Sequence, residues 1–142
     1  MKDISHRSDC PISYALDFFG DKWSLLIIRD MLFEQKCFYK EFLDSKEKMA
    51  TNILSDRLKK LEYHGLIASA VYAPRKTQKV YTLTEKGLDT IPVLVEIMLW
   101  SAKHDSSLAI SDAFVAKVGQ DRAAVFKGIR ASANGLLGSS WQ

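Results

Sequence analysis

The sequence predicts a mainly α fold with one small β-hairpin. Three observations predict it: apolar residues recur at three- and four-residue spacing along most of the chain, the period shortens to about two only between Ile67 and Thr84, and glycines and prolines fall mainly at the ends of periodic segments. With 142 residues, 47% of them hydrophobic and 26% charged, the chain has the composition of one ordinary globular domain with an appendage. It is long enough to bury a core without disulfide or metal staples.

Cys10-Pro11 opens the first helix, since proline is tolerated at the first helical position where its missing N–H costs nothing. Tyr14, Leu16, Phe18 and Phe19 give that helix its apolar surface, and Gly20 is placed to stop it. Asp21 reads as the N-cap of a second helix over about 22–33, apolar on nearly every side (Trp23, Leu25, Leu26, Ile27, Ile28, Met31, Leu32), which belongs at the centre of the core. A short helical piece follows near Phe38 to Leu43, then a charged turn from Asp44 to Lys48.

The helix predicted over 50–64 is the most informative segment. Ile53, Leu54, Leu58 and Leu61 form its apolar stripe, while Thr51, Asn52, Ser55, Lys59 and Lys60 fall on other faces, and Gly65 ends it. Then "APRKTQ" turns the chain between two short strands, giving a hairpin with a basic, proline-bearing tip. Thr84 is expected to cap a further long helical stretch, in which Pro92 predicts a kink or a restart. Beyond Asp105, two short amphipathic helices separated near Gly119 are expected, and "SANGLLGSSWQ" reads as a frayed tail. The division expected is therefore 1–104 for the main unit and 105–142 for a C-terminal helical extension.

Several function classes are disfavoured. No apolar run approaches the roughly 20 residues of a membrane span, and "MKDISHRSD" lacks the apolar centre of a secretory signal, so a soluble cytoplasmic protein is expected. Cys10 and Cys37 form no CxxC pair, and His6, His64 and His104 are scattered, which gives no metal-ligand spacing and suggests no cofactor. No histidine or carboxylate stands at a motif spacing that would make Cys10 an enzyme's nucleophile. The net charge of +3 says little as a total, but no Asp or Glu occurs between Gly65 and Thr84, where Arg75, Lys76 and Lys79 crowd the turn. Such a local excess suggests a polyanionic partner.

Helix, helix, short helix, recognition-like helix, basic hairpin and long helix is the order of a winged helix-turn-helix flanked by extra helices. In that arrangement Thr51, Asn52, Ser55 and Lys59 face base edges or phosphates in the major groove of double-stranded DNA, and the wing cations Arg75, Lys76 and Lys79 lie along the backbone. Asp56 would repel phosphate unless paired, and Lys60 stands at helical spacing to pair it.

The blocks "CPISYALDFFGDKWSLLIIRDML", "FYKEFL", "MATNILSDRLKKLEYHGLI" and "YTLTEKGLDTIPVLVEIMLW" resemble, in order, the signature blocks of HxlR-type bacterial transcriptional regulators, a winged-helix group related to the MarR regulators. The resemblance runs from about Cys10 to Trp100. It implies a homodimer on operator DNA, with helix 50–64 in the major groove and residues 75–79 near the flanking minor groove. It also implies that the first helix and the long helix after the wing build the dimer interface, which assigns Tyr14, Phe18, Val95, Met98 and Leu99 to partner contacts. Nothing is transferred to the stretch after Asp105 beyond packing on the dimer.

Cys10 has two readings. It is either a small structural residue at a helix start or a sensor thiol, because the positive end of a helix stabilises a thiolate. His6 and Arg7 would assist the second role and Asp9 oppose it. Several regulators of the resembled family use a cysteine at this point to respond to oxidants, quinones or aldehydes, which adds a small electrophile or oxidant to the expected partners. Cys37 reads as structural. Trp23 and Trp100 read as core or interface aromatics, able to help enclose an aromatic effector. The competing function is a winged-helix module that docks proteins, for which an apolar or acidic recognition face would be expected instead of Thr51, Asn52 and Ser55.

Overall fold

The computed structural model describes residues 7–134. Its elements are α1 (Pro11–Phe19), α2 (Ser24–Phe33), α3 (Tyr39–Leu43), α4 (Thr51–Tyr63), β1 (Ile67–Val71), β2 (Lys79–Leu83), α5 (Glu85–Leu88), α6 (Ile91–His104), α7 (Asp112–Gln120) and α8 (Arg122–Ser132). The mainly α architecture with a single antiparallel hairpin is the one the periodicities predict.

Local chemistry accounts for the element ends. Pro11 stands in the first turn of α1. Asp21 caps from two residues before the N-cap position, Trp23, because α2 begins at Ser24 rather than near Lys22. Its Oδ2 accepts the backbone N–H groups of Trp23 and Ser24 at 2.9 and 3.0 Å, and its Oδ1 accepts the Ser24 hydroxyl at 2.7 Å. Gly65, at φ +78°, ends α4 in a left-handed conformation, with Leu66 N–H bonding to Leu61 O and Gly65 N–H to Glu62 O. Past the hairpin, Thr84 caps only the short α5, and Pro92 marks a restart as α6 rather than a kink.

The main core cluster is built around α2, whose Ile27, Ile28, Met31 and Leu32 are buried with Phe42 of α3, Leu54, Leu58 and Leu61 of α4, and Leu94 and Val95 of α6; Cys37 and Val80 form a small separate cluster with Phe38 against them. Each such side chain contributes roughly 1.5–3 kcal/mol by leaving water. Gly87 allows a close approach that no other residue would permit. A Cβ there would sit 2.1 Å from the Leu66 carbonyl oxygen, so α5 presses directly on the start of β1.

The hairpin pairs Ile67 with Leu83 through Val71 with Lys79. The turn-side half of β2 is pinned to the segment before α3, where Phe38 bridges Val80 and the Tyr81 N–H donates to the Cys37 carbonyl at 2.8 Å. Phe38 also packs edge-on against Tyr72, with ring centroids 5.0 Å apart, so the hairpin is held close to the turn that carries Arg75 and Lys76.

The C-terminal helices differ from expectation in two ways. Gly119 lies inside α7, and the break comes at Asp121, which accepts the Ala124 N–H and so caps α8. The helices also pack on their own protomer: Val118 and Val125 join the core, and Asn134 makes two hydrogen bonds to the Leu83 backbone. The first residues of the expected frayed tail are thus tied to β2, and positions 135–142 lie outside the described residues.

Candidate nucleic-acid interface

Burial of Leu54, Leu58 and Leu61 turns the other side of α4 outward. Thr51, Asn52 and Lys59 are exposed on it, and Ser55 is half-buried. Arg57, on the same helix, reaches back to the start of α2, where its Nε donates to Asp21 Oδ2 at 2.8 Å. Arg57 also pairs with Asp56. The partner expected for Asp56, Lys60, is therefore replaced by the adjacent guanidinium, which serves both carboxylates at once.

Burial raises the affinity of the Asp21 carboxyl for its proton. Hydrogen bonds from the Ser24 hydroxyl, Arg57 and the Trp23 and Ser24 backbone outweigh that effect and hold its pKa at about 2. A second lock joins α2 to the turn before α4: Arg29 forms a two-pronged bond to Glu47, at 2.7 and 2.8 Å, while also bonding to the buried Asp30. Two arginine–carboxylate links therefore fix the angle at which α4 is presented.

Arg75, Lys76 and Lys79 are exposed, and among the described residues none of them makes an ion pair. Lys79 faces α3 across a groove of about 450 Å³ whose other wall carries Tyr39 and Lys40. The Tyr39 hydroxyl continues to α4, 3.1 Å from Ser55 Oγ and 3.2 Å from the Thr51 carbonyl oxygen. Lys40, Tyr39 and Arg57 were not singled out in the sequence. Each belongs to an ordinary helical pattern, and only the fold brings it to the α3, α4 and wing side.

The residues expected at a dimer interface divide. Phe18 and Val95 are 6% and 0% exposed, because both pack into the core of their own protomer, and so they have almost no surface to offer a partner. Tyr14 is exposed, and Met98 and Leu99 are half-buried. Uncovered apolar side chains lie elsewhere on the same two helices, as Ile12 and Leu16 of α1 and as Val93, Ile97 and Trp100 of α6. Trp100, 66% exposed, leans on His104, while Trp23 is half-buried against the core. An apolar groove of about 390 Å³ runs between α2 and α6, lined by Leu25, Phe33, Leu94 and Met98.

Cys10 is exposed at the start of α1. Arg7, expected to assist it, instead pairs with Asp17 at 3.2 Å, and His6 lies outside the described residues. Cys37 is buried, and burial, aided by the Glu41 carboxylate, pushes its thiol up to about 12. Such a thiol is inert at neutral pH. Among the described residues, no cluster of His, Cys, Asp and Glu could hold a metal ion, and no helix is long and apolar enough to cross a membrane.

A family model described as HxlR-like helix-turn-helix matches residues 18–108, well over half of the chain. The chain belongs to the HxlR-like helix-turn-helix family. Membership makes this HxlR-like protein a DNA-binding transcription regulator with a winged-helix fold. It is 36% identical over 86 residues to the HTH-type transcriptional regulator sll1512 of Synechocystis sp., a match covering 61% of this chain and 63% of that one, which is less than two thirds of the relative's length. Among solved structures it resembles the reduced form of the transcriptional regulator YodB from B. subtilis, with 30% identity and a TM-score of 0.55 over 68% of this chain and 95% of that one. YodB is also solved bound to a quinone. The redox regulator HypR in its oxidized form is 28% identical, with a TM-score of 0.60 over 68% of this chain and 98% of HypR.

Proposed function

We infer that the chain acts as a homodimer on operator DNA, with α4 in the major groove and the wing on the neighbouring backbone or minor groove. One observation carries this reading: the three wing cations, without ion-pair partners among the described residues, stand on a hairpin whose first strand packs against α4, the helix that presents Thr51, Asn52 and Lys59. Unpaired cations beside exposed short polar side chains suit phosphates and base edges. A protein-docking module has less support, because α4 turns no broad apolar or acidic face outward. Working on DNA assigns the protein to the cytoplasm.

The dimer reading rests on Ile12, Leu16, Val93, Ile97 and Trp100, which extend along α1 and α6 as the uncovered apolar surface of a helix pair. Two protomers joined there present two copies of α4, which must lie about 34 Å apart to meet successive major grooves. Replacing Ile97 and Trp100 together by glutamate is expected to give a monomer in sedimentation equilibrium. Loss of the second attachment lowers affinity for a two-fold operator by on the order of a hundredfold. A double variant that remains dimeric would contradict this interface.

A signal at Cys10 reaches DNA by the same route. Its thiol is exposed at the first turn of α1, beside the uncovered Ile12. YodB, a solved relative, is known bound to a quinone, and HypR in an oxidized form. A quinone would add at Cys10 Sγ, forming a sulfur–carbon bond while the thiol proton passes to one quinone oxygen and the proton of the attacked ring carbon to the other, which leaves the hydroquinone adduct. The adduct would shift α1 against its partner and change the spacing of the two α4 helices. The groove between α2 and α6 is the place where a small aromatic effector would fit, without covalent chemistry. Cys10→Ser is expected to bind operator normally yet no longer respond to benzoquinone or diamide; an unchanged response in that variant would eliminate Cys10 as the sensor.

A further inference from the structure

Tyr39 makes a contact that α3 does not need for its own stability. Its ring packs against the core, yet its hydroxyl points along α4, 3.2 Å from the Thr51 carbonyl oxygen and 3.1 Å from Ser55 Oγ. A phenol has one proton. The carbonyl of Thr51 can only accept, so the arrangement in which both contacts are hydrogen bonds has Tyr39 donating to Thr51 and accepting from Ser55. The Ser55 proton is then committed inward, and its oxygen turns only lone pairs toward the outer face of α4.

We propose that Tyr39 is a positioning residue that makes Ser55 an obligate acceptor, so that Ser55 reads the exocyclic amino group of adenine or cytosine in the major groove. This rests on the reading of α4 as the DNA-facing helix and adds a base class to it. A serine hydroxyl ordinarily pairs with either donors or acceptors, and so distinguishes bases weakly. Held by Tyr39, it cannot donate to a phosphate oxygen, to guanine O6 or to thymine O4. The amino groups at adenine N6 and cytosine N4 are the donors the major groove offers. A transition at the contacted base pair exchanges amino for keto on the same ring frame, so the hydroxyl then faces an oxygen with no proton between them.

The test uses the full-length protein and duplexes selected from a randomised pool. Ser55→Ala locates the base pair, as the position whose preference it relaxes. At that pair, wild type is expected to lose about fivefold in affinity, the worth of one hydrogen bond, when the amino group is deleted by purine in place of adenine or by 2-pyrimidinone in place of cytosine. Deleting the keto oxygen of the opposite base should have no effect. Tyr39→Phe keeps the ring and frees the Ser55 proton, so its penalty for the transition is expected to fall below about twofold while its melting temperature stays near that of wild type. A general loosening of α4 would weaken all sequences alike rather than remove one preference. Loss on deleting the keto oxygen, a Tyr39→Phe protein that keeps the wild-type penalty, or a Ser55→Ala protein that relaxes no position would overturn the proposal. If wild type enriches no sequence at all, what fails is the DNA-facing reading of α4 itself.

Discussion

Replacing Arg75, Lys76 and Lys79 together by alanine is expected to weaken operator binding by on the order of a hundredfold or more near 0.1 M salt, and to make the slope of log affinity against log salt less negative by about 5. The slope follows from counterion release. Each phosphate neutralised on duplex DNA contributes about 0.9 to it, and a dimer brings the three cations twice. Because the three side chains are exposed and make no ion pair among the described residues, the same change should leave stability within about 0.5 kcal/mol of wild type. The two measurements together separate a wing that grips phosphate from one that merely keeps the hairpin soluble. Fluorescence anisotropy across a salt series checks the first and thermal melting the second; equal slopes for wild type and the triple variant would remove the wing from the DNA contact.

Asp21→Ala is expected to cost about 2 kcal/mol at pH 7, lowering the melting temperature by roughly 6 °C. The loss has two parts. The start of α2 loses the acceptor of its first N–H groups, worth about 1 kcal/mol, and Arg57 loses the partner that ties α4 to α2. The second part is discounted because both side chains of the pair are 21% exposed and partly screened by water. The sign of the pH dependence follows from a pKa held at about 2 in the folded chain, against 3.8 ordinarily. A depressed folded pKa stabilises the charged form, so the contribution is fully present above about pH 5 and is lost as the pH falls toward 2. The gap between wild type and Asp21→Ala should therefore narrow over that window, whereas other carboxylates affect both proteins alike. Asp21→Asn, which keeps an acceptor but not the charge, should fall between the two. A gap that stays constant down to pH 2.5 would show that the charge on Asp21 does not stabilise the fold.

Much of the fold was legible because local signals agreed with one another. Pro11, Gly65 and Pro92 mark boundaries by backbone chemistry alone, and the change of period after Gly65 separates hairpin from helix. Where several faces of a helix are apolar, periodicity stops being informative. In α6, the pattern identifies Val93, Val95, Ile97, Met98, Leu99 and Trp100 as apolar, but only packing decides that Val95 enters the protomer's own core while Ile97 and Trp100 remain uncovered. Phe18 was misplaced for the same reason, since the side of α1 that reaches His64 and Lys86 depends on where α4 ends and α5 begins.

The exposed face of α4 was readable from the order of elements, whereas the hydroxyl contact between Tyr39 and Ser55 spans 16 positions and leaves no trace in spacing. Arg57 was equally hidden. It is one of several cations on a helix, and its role depends on a carboxylate 36 positions away. The extension after Asp105 carried good capping signals in Ser111 and Asp121, but the surface it covers could not be read from them. That it packs on α2, α6 and the end of β2 follows from the apolar surface those elements leave open.

In the inferred homodimer, two copies of α4 and of the wing engage one duplex at once. Hydroxyl-radical footprinting of the dimer on a selected operator tests it most directly. Two symmetric protected segments with centres about 10 base pairs apart are expected, flanked by weaker wing protection that disappears in the Arg75, Lys76 and Lys79 triple variant. A single unpaired protected segment, or protection unaltered by loss of the wing cations, would contradict it.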